Sequence, residues 1–141
     1  MAEFSPKITV FCCESCGYPA ADRAVRQGYS LPDECRLIRI PCTGKLDLLY
    51  IFKAFEAGCD GVAIAGCPED ACKYDTGSTR AKNKVEKAKT MLEKIGIEPD
   101  RLKRWQISSS MSEKFSRLLD DMEDEIKGLG ALFPGRLRKT G

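Results

Sequence analysis

The chain contains no histidine. That absence removes a Rieske centre, a mixed Cys/His zinc finger, a histidine-ligated haem, and Ser-His or Cys-His catalytic pairs. Any site must be built from thiols, carboxylates, lysines, hydroxyls and backbone. Long apolar runs are missing too, and none approaches the about 20 residues a membrane span needs. Residues Met1 to Lys7 are polar and hold no signal-peptide core, so a cytoplasmic location is expected. Charge imbalance is small, at +2, and makes no case for nucleic acid. The basic residues are scattered except at Arg136-Leu137-Arg138-Lys139, which reads as a solvated terminus. Internal repeats and low-complexity segments are lacking. So are an activated nucleophile, a convincing carboxylate pair and a phosphate-binding glycine loop; Gly17 and Gly44 read as turn glycines.

What is present is a chain of 141 residues, enough for one domain with a real core. Hydrophobic residues at 43% and charged residues at 31% are those of an ordinary globular protein. The eight cysteines are not ordinary. In a reducing compartment a cysteine-rich chain is a metal or redox protein before it is a disulfide-stapled one.

Periodicity predicts strands over 8–11, 36–40, 61–65 and 101–107, each followed by a helix. The helices are expected over 18–27, 46–57, 78–95 and from the Ser108-Ser109-Ser110 cap candidates to about residue 127. Ala21, Ala24 and Val25 mark the inner face of the first. Leu48, Ile51, Phe52 and Phe55 mark the second. Val85, Ala88, Leu92 and Ile95 mark the third, and Phe115, Leu118, Leu119, Met122 and Ile126 the fourth. Gly28, Gly58, Gly96, and Gly128 with Gly130, are the expected stops. The all-apolar Gly61-Val62-Ala63-Ile64-Ala65 run reads as a central strand; the charged Arg36-Leu37-Ile38-Arg39-Ile40 reads as a less buried one. The repeated strand–helix pattern predicts an α/β fold: a small parallel sheet of about four strands with helices on both faces, flavodoxin-like, in the order 2-1-3-4. The domain is expected over residues 1–130, with 131–141 as a C-terminal tail.

This architecture sorts the cysteines. Cys12, Cys13 and Cys16 follow the first strand, Cys42 the second, and Cys67 and Cys72 the third, all at the carboxyl edge where open α/β sheets bind ligands. Cys35 and Cys59 precede strands and fall at the opposite pole, where they read as structural. Cys12 is expected to point into the core as a small hydrophobe. Cys13-Glu14-Ser15-Cys16 is a C-x-x-C pair whose sulfurs can converge on one metal. The same spacing admits a thiol-disulfide oxidoreductase using Cys13 and Cys16, and the thiols together admit a zinc-stabilised interaction module. An iron–sulfur cluster accounts for more of these thiols at one edge. Glu14, Glu69 and Asp70 read as solvent-facing loop acids.

At these residues the sequence resembles the hydrogenase iron–sulfur subunit family, the delta subunit of methyl-viologen-reducing hydrogenase. The motifs are Phe11-Cys12-Cys13-Glu14-Ser15-Cys16-Gly17-Tyr18 with Ala21-Asp22, then Cys42-Thr43-Gly44-Lys45, then Ala54-Phe55-Glu56-Ala57-Gly58-Cys59-Asp60-Gly61-Val62, and last Gly66-Cys67 with Cys72-Lys73-Tyr74. The family's last motif usually carries histidines after both cysteines; Pro68 and Lys73 stand there in this chain. The resemblance implies a [2Fe–2S] cluster on four of Cys13, Cys16, Cys42, Cys67 and Cys72, and an electron-transfer role without catalysis of its own. It implies as partners a heterodisulfide-reductase-type flavoprotein capable of electron bifurcation and an electron-donor oxidoreductase of hydrogenase, formate dehydrogenase or methylene-tetrahydrofolate-reductase type. Lys45 and Lys73, beside candidate ligands, are expected to favour the reduced, more negative state.

Overall fold

The computed structural model describes residues 6–29, 31, 34–42, 46–66 and 77–132. The chain runs β1 (Ile8–Cys13), α1 (Gly17–Arg26), β2 (Cys35–Ile40), α2 (Leu48–Glu56), β3 (Gly61–Gly66), α3 (Gly77–Lys94), a 3-10 turn (Pro99–Arg101), β4 (Leu102–Gln106) and α4 (Ser112–Leu129). The four strands form one parallel sheet in the order β2-β1-β3-β4. This is the order the sequence predicts.

β1 and β3 are buried along their whole length, as strands covered on both faces are. Their side chains alternate between two cores. Ile8, Val10, Cys12, Ala63 and Ala65 face one side, where Ala20 and Ala21 of α1 and Phe115, Leu119, Met122 and Ile126 of α4 pack. Phe11, Val62 and Ile64 face the other, against Ile51 and Phe55 of α2 and Val85, Ala88 and Leu92 of α3. β2 is an edge strand and only partly buried, as its arginines lead one to expect. No helix among the described residues is long and apolar enough to cross a membrane.

Three helices end the same way. Gly28, Gly58 and Gly96 take φ of 93°, 109° and 87°. The next residue's amide then reaches back to close the helix: Tyr29 to Ala24, Cys59 to Ala54 and Ile97 to Leu92. This geometry overturns one expected core residue. Ile95 is 66% exposed because the turn at Gly96 brings Ile97 into the core instead. Val25 is exposed as well, lying beside the packed stripe of Gly17, Ala20, Ala21 and Ala24. The fourth helix departs twice from expectation. Met111, not a serine, is its N-cap, and Gly128 lies within the helix, which Gly130 alone terminates.

At the amino-terminal pole of the sheet a buried polar network ties Lys7 to Leu132. Fully buried Asp60 accepts from the Lys7 amide (2.9 Å) and the Leu132 amide (3.0 Å). Buried Arg101 donates to the Asp60 carbonyl (3.0 Å), the Gly130 carbonyl (2.8 Å) and the Glu98 carboxylate (2.7 Å). The tail expected from residue 131 lies, beyond Leu132, outside the described residues.

Candidate metal centre

The carboxyl edge of the sheet is where β1 and β2 deliver their cysteines. The strand expected to stop at residue 11 runs on through Cys12 and Cys13, so these two residues are the end of β1 rather than its loop. The ladder with β2 extends one residue further, through a 2.8 Å bond from the Glu14 amide to the Ile40 carbonyl. Glu14 is exposed, as expected. The chain then turns at once into α1, with Cys16 as its N-cap.

A helix start leaves its first amides without intrahelical partners. Here the Cys13 sulfur supplies one. Its Sγ accepts from the Cys16 amide at 3.3 Å and from the Gly17 amide at 3.2 Å. Pro19 has no amide to satisfy, and Ala20 makes the first helical bond back to Cys16 at 3.1 Å. The thiol of Cys13 therefore sits, 2% exposed, at the positive end of a helix. Cys16 is half-buried beside it.

Cys42 lies two residues past the end of β2, the strand paired with β1, and is 3% exposed. An apolar hollow of about 260 Å³ adjoins it, lined by Phe11, Ile38, Ile40, Leu46 and Tyr50. β3 ends at Gly66, whose carbonyl is held by the Ile107 amide at 2.7 Å. Cys67 follows directly in sequence, but Cys67, Cys72, Glu69, Asp70, Lys45 and Lys73 lie outside the described residues. Among the described residues no three cysteine, aspartate or glutamate side chains group closely enough to hold a metal.

The other thiols are set apart. Cys12 is wholly buried in the α1/α4 core, its Sγ 3.8 Å from the Val10 carbonyl. Burial, then the nearness of Cys13 and Cys35, pushes its thiol far above the ordinary range. Cys35 is pushed up to about 11 by burial and, second, by Glu123. Cys59 pairs its sulfur with the Thr9 hydroxyl at 2.9 Å. Cys35 and Cys59 line a hollow at the amino-terminal pole, the opposite pole from Cys13, Cys16 and Cys42.

One contributor is not evident from the sequence. Gly17 is not a turn glycine but the first residue of α1. A Cβ there would run into the Ala65 carbonyl oxygen and come within 3.1 Å of the Ala65 Cβ. Its position directly after a C-x-x-C pair at a helix start was the available signal. At the rim, the Arg39 guanidinium lies 5.3 Å from the Tyr18 ring centroid.

The donor chemistry fits a soft, thiophilic group. Two buried thiols and one half-buried thiol stand at one edge, and one sulfur already receives two amide N–H bonds. Hydrogen bonds to ligand sulfur are one of the levers proteins use on iron–sulfur clusters.

The family model for the methyl-viologen-reducing hydrogenase delta subunit matches residues 8–130. The chain belongs to this family. Among the delta-subunit relatives, it is 40% identical over 131 residues to the vhc iron-sulfur subunit of the F420-non-reducing hydrogenase of Methanococcus voltae, covering 92% of this chain and 91% of that one. It is 37% identical over 125 residues to the vhu iron-sulfur subunit of the F420-non-reducing hydrogenase of Methanocaldococcus jannaschii, covering 89% and 93%. A match of another kind is to one subunit of the Ferredoxin/F(420)H(2)-dependent CoB-CoM heterodisulfide reductase of Methanosarcina acetivorans. There the identity is 32% over 127 residues, which is 90% of this chain but only 16% of that protein. The delta-subunit family is thus associated with heterodisulfide-reductase-like complexes.

Proposed function

We propose that this chain is a non-catalytic electron-transfer subunit that carries a [2Fe–2S] cluster on four of the thiolates Cys13, Cys16, Cys42, Cys67 and Cys72. The observation that carries the reading is the Cys13 sulfur, buried at the start of α1 and accepting two backbone N–H groups. Iron is ligated by sulfur that carries negative charge, and backbone N–H groups aimed at that sulfur are among the levers by which a protein tunes a cluster. When bound, the cluster supplies one-electron uptake and release.

The chain's own residues do the rest. Cys13 and Cys42 offer sulfur in a water-poor setting. Phe11, Ile40 and Leu46 keep solvent from the Cys42 side. Cys16, half-exposed, brings the site to the surface, as electron exchange with a partner demands. Lys45 and Lys73 favour the reduced state. Residues 1–130 form the cluster-bearing domain and 131–141 its tail. The relay runs in the cytoplasm between a donor oxidoreductase, of hydrogenase, formate dehydrogenase or methylene-tetrahydrofolate-reductase type, and a heterodisulfide-reductase-like flavoprotein capable of electron bifurcation. The names of the relatives support this, since the delta-subunit matches are called iron-sulfur subunits. So does the match to a segment of a much longer heterodisulfide reductase chain. A module built into one chain and separate in another is one whose surfaces meet the rest of that protein.

The test is electron paramagnetic resonance on dithionite-reduced, anaerobically purified protein, with iron and sulfide measured on the same sample. About two irons and two sulfides, with a signal persisting well above liquid-helium temperature, are expected of a [2Fe–2S] protein. A colourless protein that takes up no iron on reconstitution refutes the reading. The N–H bonds to Cys13 also suit a dithiol oxidoreductase on Cys13 and Cys16, which would instead show a two-electron potential and reduction by dithiothreitol. A zinc-stabilised module would be colourless and contain zinc.

A further inference from the structure

The start of α1 meets the sheet more closely than an ordinary helix could. Gly17 stacks over Ala65 of β3 with no room for a Cβ against the Ala65 carbonyl oxygen. Farther along the same helix, Ala20, Ala21 and Ala24 are all fully buried, so the close approach continues along its length. The consequence appears at the first turn. With the helix seated this deep, the Cys16 and Gly17 amides donate to the Cys13 sulfur, at 3.3 and 3.2 Å.

We propose that Gly17 is a positioning residue that sets the reduction potential: by seating α1 on Ala65 it aims two amide N–H groups at the Cys13 sulfur and so stabilises the reduced cluster. The inference rests on the proposed function, with Cys13 as one of the ligands. The physical basis is charge. Reduction adds one electron to a thiolate-ligated cluster, and much of the added negative charge falls on sulfur. N–H donors and the positive end of a helix stabilise the more negative state more than the oxidised one, and so raise the potential. A larger residue at position 17 must lift the first turn off β3 and lengthen both bonds. The potential should then fall.

The experiment is redox titration of the loaded protein followed by electron paramagnetic resonance, comparing wild type, Gly17→Ala and Gly28→Ala. Gly28, at φ 93° at the far end of α1, is also strained by a side chain but lies away from the sulfur. Gly17→Ala is expected to keep its iron and shift to a more negative potential, while Gly28→Ala loses stability and keeps the wild-type potential. A wild-type potential in iron-loaded Gly17→Ala overturns the inference. If Gly17→Ala fails to hold its cluster, wild type decides by itself. Cys16-Gly17 is the one Cys-Gly step in the sequence, so ¹³C-carbonyl cysteine with ¹⁵N-glycine marks the Gly17 amide uniquely. A large contact shift of that ¹⁵N resonance on reduction supports the bond to sulfur, and its absence overturns it. Wild-type protein without iron is a different failure, of the proposed function itself, and takes the inference with it.

Discussion

Adjacent residues Cys12 and Cys13 should separate stability from metal binding. Cys12 is fully buried among Ile8, Val10, Ala63 and Ala65, with the Val10 carbonyl 3.8 Å from its sulfur. Cys12→Ser places a hydroxyl there. Oxygen is smaller than sulfur and demands a better partner, so a poorly satisfied hydroxyl costs about 1–3 kcal/mol. Cys12→Ala removes one heavy atom and costs about 1 kcal/mol. Neither should change iron content. Cys13→Ser behaves the opposite way. The serine oxygen can still accept from the Cys16 and Gly17 amides, as a helix-capping hydroxyl does, so the fold survives. A hard, neutral hydroxyl in place of a thiolate should remove most of the iron. Urea unfolding reads the first effect: at a slope of about 2 kcal/mol per molar, Cys12→Ser should lower the midpoint by about 0.5–1.5 M. Iron and sulfide assays, with far-ultraviolet circular dichroism to confirm folding, read the second. Loss of iron from Cys12→Ser, with full iron in Cys13→Ser, would refute the assignment of the two sulfurs.

Other expectations concern the opposite pole. Arg101→Met should cost about 2–6 kcal/mol in urea unfolding, because it strips a donor from the Asp60 and Gly130 carbonyls, each worth about 1–3 kcal/mol when orphaned. The reduction potential should not move, since the network lies at the pole away from Cys13. The hydrogen bond from Arg101 holds the Glu98 carboxyl below its ordinary 4.5, so its contribution is present above that value and lost as pH falls through the folded one. Acid unfolding of Glu98→Gln should accordingly be less steep than wild type. Cys35 has the reverse sign: raised from 9.0 to about 11, it stabilises the fold below pH 9, and that contribution is lost as pH rises toward 11. Cys35→Ala should flatten the alkaline limb of the stability profile, measured by thermal unfolding at each pH.

The strands, helices and sheet order were legible in the sequence because each depends on local periodicity and on the handedness of strand–helix–strand units. The all-apolar run of β3 marked a central strand, and the arginines of β2 marked a less buried one. Glycine stops after α1, α2 and α3 could be read because positive φ is a local demand. The sorting of Cys13, Cys16 and Cys42 to one pole and Cys35 and Cys59 to the other followed from the same order. What could not be read depended on how deeply one element seats in another. Ile95 and Ile97 are both apolar; the turn at Gly96 chose between them. Ser108, Ser109 and Ser110 are good caps, yet α4 begins later, where packing on α1 fixes its axis and Ser112 bonds to Gln27 at 2.6 Å. Buried Arg101 bonds to a residue 41 positions away, a link that leaves no local pattern. Gly17 shows the division most plainly. Its identity was visible beside the C-x-x-C pair, but its purpose, a helix start pressed against the Ala65 carbonyl with two amides aimed at sulfur, exists only once β1, β3 and α1 are packed together. Periodicity is carried by neighbours in sequence, whereas close approach is decided by residues that only the fold makes neighbours.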